Sequence, residues 1–235
     1  NEVERARLAV PGAGEAQAFS AHVAVQEIVQ GQGFGKVFAP MLNLLVHPSK
    51  PSFRQKALKA LEQVVVLDPK TLANDQVRKG VLRLMGDPAK LVRAQAVSLV
   101  GSYMATSPQL LKEYFVGVCD RCRDTGVSVR KAAMLILRDC LATEGQASEI
   151  VDGACVAMIP LLKDESSDIR KQISHLLKSM WFPQPPSAGL SVAARFAQIR
   201  GVVAEAHKSG ITDRDGQTVV DLIGDFLVEA MGEQG

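Results

Sequence analysis

Aromatic side chains are scarce in this sequence: Phe, Tyr and Trp together make up 5 % of 235 residues. Small aliphatic residues are plentiful instead. They suit close helix–helix packing and argue against a β-sandwich or barrel, whose strands favour aromatic and β-branched residues. Neither sign of charge dominates. A formal net charge of +2 does not by itself imply a nucleic-acid partner, which would have to be argued from how the charge is distributed. No apolar run is long enough to span a bilayer, so no membrane is expected, and no signal-peptide pattern is seen. Cysteine is limited to Cys119, Cys122, Cys140 and Cys155. All four fall on helical apolar stripes and read as reduced core thiols of an intracellular protein. The sequence starts at Asn1 rather than Met and stops soon after a helical pattern, so it is expected to be a piece of something longer.

Motifs for chemistry are also missing. Cys119-x-x-Cys122 has neither a second pair nor suitably spaced histidines for a zinc site, and lacks the strands of a thioredoxin-like motif. Gly31, Gly33 and Gly35 precede Lys36, but the Gly-Lys-Ser/Thr order and the preceding strand of a P-loop are absent. Asp213-x-Asp215-Gly216 resembles part of a calcium loop, yet Ile211 and Leu222 would stand where acidic ligands are needed. No Ser/His/Asp or Cys/His grouping stands out. The chain is therefore not read as an enzyme, and no cofactor or metal is expected.

What the sequence does contain is a repeat. In Arg123–Cys140, Asp124, Thr125 and Gly126 supply turn chemistry and Ser128 is expected to cap the helix that follows. Val129, Ala132, Ala133, Ile136, Leu137 and Cys140 share one face of a helix of about 3.6 residues per turn. Arg130, Lys131, Arg138 and Asp139 are expected on the other. The design recurs: Asp87 precedes Arg93 by six residues, Asp124 precedes Arg130, and Asp164 precedes Arg170. Phe53-Arg54 begins a weaker copy. The arginines at 54, 93, 130 and 170 stand 39, 37 and 40 residues apart. A period near 40 with two helical segments per period is the signature of HEAT or armadillo repeats. The expected fold is all-α, a HEAT-repeat α-solenoid of stacked antiparallel helix pairs.

Boundaries follow from caps and prolines. Residues 1–35 read as a leading helix (Glu15 to Val29) and loop, 36–182 as four repeats, 183–190 as a proline-rich linker, and 191–235 as a further HEAT-like pair. The expected pairs are Val37–Val46 with Ser52–Leu67, Asp75–Met85 with Lys90–Thr106, Pro108–Cys122 with the Arg130 helix, and Ala147–Leu162 with Ser167–Trp181. Asn74 and Ser107 are capping candidates, Asp68-Pro69 ends a helix, and Pro160 predicts a kink. Val192–His207 and Gln217–Met231 form the last pair. Trp181-Phe182 is expected to pack the fourth pair against it.

Two roles are open to the repeated charges. Asp87, Arg93, Asp124, Arg130, Asp164 and Arg170 read as a structural ladder, in which a turn Asp caps its helix and an Arg reaches the Asp of a neighbouring repeat. The flanking bases Lys56, Lys59, Lys90, Lys131 and Lys171 are expected at corresponding helix positions, aligned as a stripe able to meet phosphates. An ordinary solvated face is the alternative for each lysine.

Residues Pro108-Gln109-Leu110, Tyr114, Asp124 through Lys131, and Ile136 through Cys140 together resemble the HEAT region of the Nipped-B family, the large subunit of the cohesin loader. Arg54-Gln55-Lys56-Ala57, Val64-Val65 and Asp68-Pro69 are similar to the preceding repeat of that family, and Trp181-Phe182-Pro183 matches in kind and position. The resemblance covers roughly Arg54 to Pro183. It implies a nuclear, chromatin-associated, hook-shaped solenoid that binds cohesin subunits and DNA and stimulates the ATPase of cohesin. It also implies a smaller loader subunit bound through a region outside this sequence. Asp124, Arg130, Lys131 and Arg138 lie in its most recognisable motif, which makes Arg130 and Arg138 partner-site candidates alongside the lysines. The alternative is a HEAT scaffold of another class, such as a transport receptor or phosphatase scaffold. A metal or redox protein using Cys119 and Cys122 is the more distant rival.

Overall fold

A computed structural model of the chain describes residues 50–143, 145–183 and 191–232. The expected leading helix, the glycine loop, the Val37–Val46 helix and residues 184–190 of the linker lie outside the described residues.

Each helix begins and ends where local chemistry dictates. The first, α1 (Pro51–Leu67), opens on a proline, whose missing N–H would be unpaired there anyway. It stops at Asp68, which turns extended before Pro69. The Asp68 carboxylate then accepts from Lys70 N and starts a 3₁₀ turn, Pro69–Ala73. Asn74 caps α2 (Asp75–Met85) by accepting from the amides of Gln76 and Val77. After α3 (Lys90–Met104), Ser107 accepts from Leu110 N ahead of α4 (Pro108–Arg121). Then come α5 (Val127–Leu141), α6 (Ser148–Met158), a 3₁₀ turn Ile159–Lys163 and α7 (Ser167–Trp181). The last pair is α8 (Val192–Ser209) and α9 (Val219–Gly232). Gly210 ends α8 at φ 60°, a left-handed conformation that glycine adopts without a Cβ clash. A single bridge between Thr212 and Thr218 is the one β feature among the described residues.

Two local expectations are corrected. Ser128 does not cap α5: the helix starts at Val127 with Gly126 in the capping position, and Asp124 accepts from Gly126 N at 2.7 Å. Satisfying that amide from two residues upstream lets the helix begin before the serine. Pro160 marks a change from α to 3₁₀ geometry rather than a kink within one helix. Proline has no N–H to donate to the carbonyl four residues earlier, so the α ladder cannot run through it.

The chain divides into two compact units, residues 1–99 and 100–235, with the boundary inside α3. In the first, Ala57, Leu58, Leu61 and Val65 of α1, Leu72, and Val77, Val81 and Leu84 of α2 are buried, as are Val92, Ala96 and Val97 of α3. Gln95 Nε2 of α3 donates to Gln55 O of α1 at 3.4 Å. In the second unit, first helices pack on first helices (α4 on α6, α6 on α8) and second helices on second helices (α5 on α7). That pairing is how a helical hairpin buries a stripe it cannot cover alone, and it makes the fold an all-α solenoid of stacked helix pairs. Its apolar seam ends in a cluster of Cys155, Ile159, Leu177, Trp181, Val202, Leu222 and Phe226. Trp181 meets Phe226 edge to face, ring centroids 5.9 Å apart at 69°, joining α7 to α9.

Candidate interaction site

The turns before α3, α5 and α7 share one construction. The Oδ1 atom of Asp87, Asp124 or Asp164 accepts from the amide two residues on, Ala89, Gly126 or Ser166, at 2.7–2.8 Å. The arginine six residues on reaches back, so that Arg93, Arg130 and Arg170 donate through Nη1 to the carbonyls of Asp87, Asp124 and Asp164. Turn and helix start are thus clamped by one carboxylate and one guanidinium.

Between repeats, the guanidinium makes a fork. Arg54 donates from Nε to Asp87 Oδ2 at 2.6 Å and from Nη2 to Oδ1 at 2.8 Å. Arg130 does the same to Asp164 at 2.6 and 2.9 Å, and its Nη2 also reaches Glu165 Oε1 at 2.9 Å. Arg130 is only 1 % exposed, although it stands on the face of α5 expected opposite the apolar stripe. With the fork, Glu165 and Asp124 O together, its donor groups are engaged and the charge can leave water. Burial alone would push the Asp164 carboxyl up; the hydrogen bonds from Arg130 and from Ser166 N hold it below its usual value. The Asp164 hydrogen bond likewise raises Arg130. Arg54 belongs to this set although its copy of the motif is the weakest in the sequence. The signal for it is the step of 39 residues to Arg93.

The expected basic stripe fares differently. Counted from the repeat arginines, Lys131 and Lys171 each follow directly, whereas Lys56 lies two after Arg54, Lys59 five after it, and Lys90 three before Arg93. At about 100° per residue the offsets −3, +1 and +5 are about one helical turn apart and fall within about 80° of one another, so Lys59, Lys90, Lys131 and Lys171 stand at similar angles from their repeat arginines, with Lys56 further round. Lys56, Lys59, Lys90 and Lys171 are exposed. Lys131 is tied to Asp168 of α7, and Arg138 to its neighbour Asp139 at 2.7 Å. Both are partly neutralised where they stand.

The other candidates resolve into structure. Cys122, Cys140 and Cys155 are buried and Cys119 is half-buried, all as free thiols. Burial pushes Cys119 and Cys155 up to about 12 and Cys140 to about 11. Such thiols stay protonated and poor at binding metal. Among the described residues no group of three His, Cys, Asp or Glu side chains is placed to hold a metal ion. Asp213 shapes its own loop, accepting from the amides of Asp215 and Gln217. No helix among the described residues is long and apolar enough to cross a membrane.

No family model matches the chain. Its sequence is 34 % identical over 158 residues to the human Nipped-B-like protein, covering 67 % of this chain and 6 % of that protein. To the Drosophila melanogaster Nipped-B protein it is 33 % identical over 174 residues, 74 % of this chain and 8 % of the relative. The Nipped-B-like protein scc-2 of Caenorhabditis elegans is 25 % identical over 207 residues, 85 % of this chain and 9 % of the relative. The chain therefore spans less than a tenth of the length of these relatives. A C-terminal fragment of the Chaetomium thermophilum cohesin loader SCC2 shares the fold, with a TM-score of 0.58 at 18 % identity over 95 % of this chain and 20 % of that one. With a third of the aligned residues identical across two thirds of its length, on a scaffold of stacked helix pairs, the chain belongs to the Nipped-B family.

Proposed function

We propose that the chain is a HEAT-repeat scaffold segment of a nuclear, chromatin-associated cohesin-loading factor. It binds cohesin subunits and DNA and, as part of the whole protein, stimulates cohesin's ATPase. The observation that carries this reading is the identity to Nipped-B-like proteins over 158 residues. On this reading, residues 36–182 are four repeats and 191–235 a fifth, HEAT-like pair. Within each unit, the Asp–Arg pairs set the stagger between neighbouring repeats. Lys56, Lys59 and Lys90 supply contacts to DNA phosphates, since they are exposed and have no ion pair among the described residues. Lys171 is exposed as well, while Lys131 and Arg138 contribute only once their carboxylate neighbours are displaced. The smaller loader subunit binds a region outside this chain.

The test is retention of purified cohesin and of a labelled DNA duplex on the immobilised chain at low and high salt. Both are expected to bind at low salt, with DNA lost steeply as salt rises, because each neutralised phosphate adds about −0.9 to the log–log salt slope. The triple substitution Lys56→Glu, Lys59→Glu, Lys90→Glu is expected to weaken DNA retention while leaving the circular dichroism spectrum unchanged. Failure to retain cohesin at any salt would overturn the reading.

A further inference from the structure

The ladder of arginine forks stops short at Arg170. Like Arg93 and Arg130, it clamps its own turn, donating from Nη1 to Asp164 O at 2.6 Å and to Glu165 O at 3.1 Å. The turn that follows even carries the right acceptor. Asp213 Oδ1 takes loop amides as Asp87 and Asp164 do, and its Oδ2 is buried with no partner among the described residues. The fork between them is not made. Nε and Nη2 of Arg170, which in Arg54 and Arg130 grip a carboxylate, have no partner among the described residues, and Arg170 is exposed where those two are buried.

Arg170 opens instead onto a groove of about 480 Å³ between α7 and α9. Lys163 and Lys171 are exposed on the same wall, while Leu222 and Phe226 at its base are buried in the apolar cluster and show only their edges. Asp225 and Glu229 stand on the facing wall. We propose that this groove is a docking site for an acidic peptide segment of a partner protein, in which one carboxylate takes the free Arg170 fork and a second meets Lys163 or Lys171.

The ligand chemistry is the one this chain already uses, since Arg54 and Arg130 show the same fork closed on an aspartate. Lys163 and Lys171 add attraction for a neighbouring carboxylate. A nucleic-acid backbone fits less well. Asp225 and Glu229 leave room for one or two carboxylates beside Arg170 but would repel a continuous row of phosphates, and a duplex is too wide to enter a cleft of this volume. The inference stands on this geometry alone and does not require the cohesin-loading reading.

The test is fluorescence polarisation of the chain with a short labelled peptide carrying one Asp and one Glu among uncharged residues. Its Asn/Gln counterpart and a labelled DNA duplex are the comparisons. The acidic peptide is expected to bind, and the amide peptide to bind about tenfold more weakly or not at all, because charge-assisted forks are about twice as strong as neutral hydrogen bonds. Arg170→Lys, which keeps the charge and loses the fork, is expected to cost about tenfold, and Lys171→Glu, at an exposed side chain with no hydrogen bond among the described residues, a similar factor. Equal binding of acidic and amide peptides overturns the proposal. So does acidic-peptide binding unchanged by both substitutions, or displacement of the peptide by duplex with Arg170→Lys weakening only the duplex. Loss of cohesin retention with peptide binding intact would sink the proposed function and leave this site standing.

Discussion

Replacing Arg130 with methionine should remove more stability than any surface change in the chain. The side chain is 1 % exposed and makes four hydrogen bonds, two to Asp164, one to Glu165 and one to Asp124 O. Methionine fills much the same volume but leaves the Asp164 carboxylate, itself 2 % exposed, with only the Ser166 amide. Breaking one side of a buried pair costs about 3–5 kcal/mol, out of a total of about 5–15 kcal/mol for an ordinary domain. Arg130→Lys should lose less, because an ammonium keeps the charge without the fork. The double variant Arg130→Met, Asp164→Leu should recover much of the loss, since no buried charge remains. Urea denaturation followed by circular dichroism measures all three. The pH dependence supplies an independent sign. In the native chain the Asp164 carboxyl sits below its unfolded value. Its contribution is therefore complete above the unfolded value of about 3.9 and disappears as pH falls through the folded one. In Arg130→Met, burial is left to push that carboxyl up, so the gap between variant and native chain should narrow on acidification. A loss below about 1 kcal/mol for Arg130→Met, against the expected range, or a double variant no more stable than the single one, would refute the reasoning.

Three further predictions concern other places in the fold. Gly101→Ala puts a Cβ 2.3 Å from Ile136 Cγ1, so it should destabilise by about 1–3 kcal/mol despite the helix propensity gained; adding Ile136→Ala should relieve the clash as a positive coupling in a double-mutant cycle. Asp152 is pushed up by burial and then by Glu205 and Glu149, so its charge opposes folding above the folded value. Asp152→Asn should raise the melting temperature at neutral pH, with the gain fading as pH falls through the raised folded value and gone below the unfolded value of about 3.9. Cys119, Cys122, Cys140 and Cys155 should resist iodoacetamide at neutral pH until denaturant is added, read by mass spectrometry, because burial holds all four thiols protonated.

Much of this fold is written in local chemistry. Asp75–Met85 lies between its Asn74 cap and Gly86, and Ser167–Trp181 follows its apolar spacing. Asn74 and Ser107 cap their helices through bonds that span two or three residues. Such bonds depend only on neighbours in the chain, which is why periodicity and turn residues reveal them, and why a step near 40 residues reveals the repeat.

The site is a different matter. A helical wheel sorts residues by polarity and so sends Arg130 to the solvent; its burial depends on Asp164, thirty-four residues away. The same wheel counts Lys131 as a free base, although Asp168 of the next helix partly neutralises it. Arg170, alike in sequence to the other repeat arginines, is left open because the loop carrying Asp213 does not bring that carboxylate to it. Among the described residues, where most helices lie and how often the pattern returns could be read from the chain alone, because both are properties of a few consecutive residues; the start of α5 and the 3₁₀ turn at Pro160 could not. Only the tertiary structure decided which charges are satisfied, since that depends on how far one hairpin slides against the next, and a shift of a few ångströms makes or breaks a hydrogen bond.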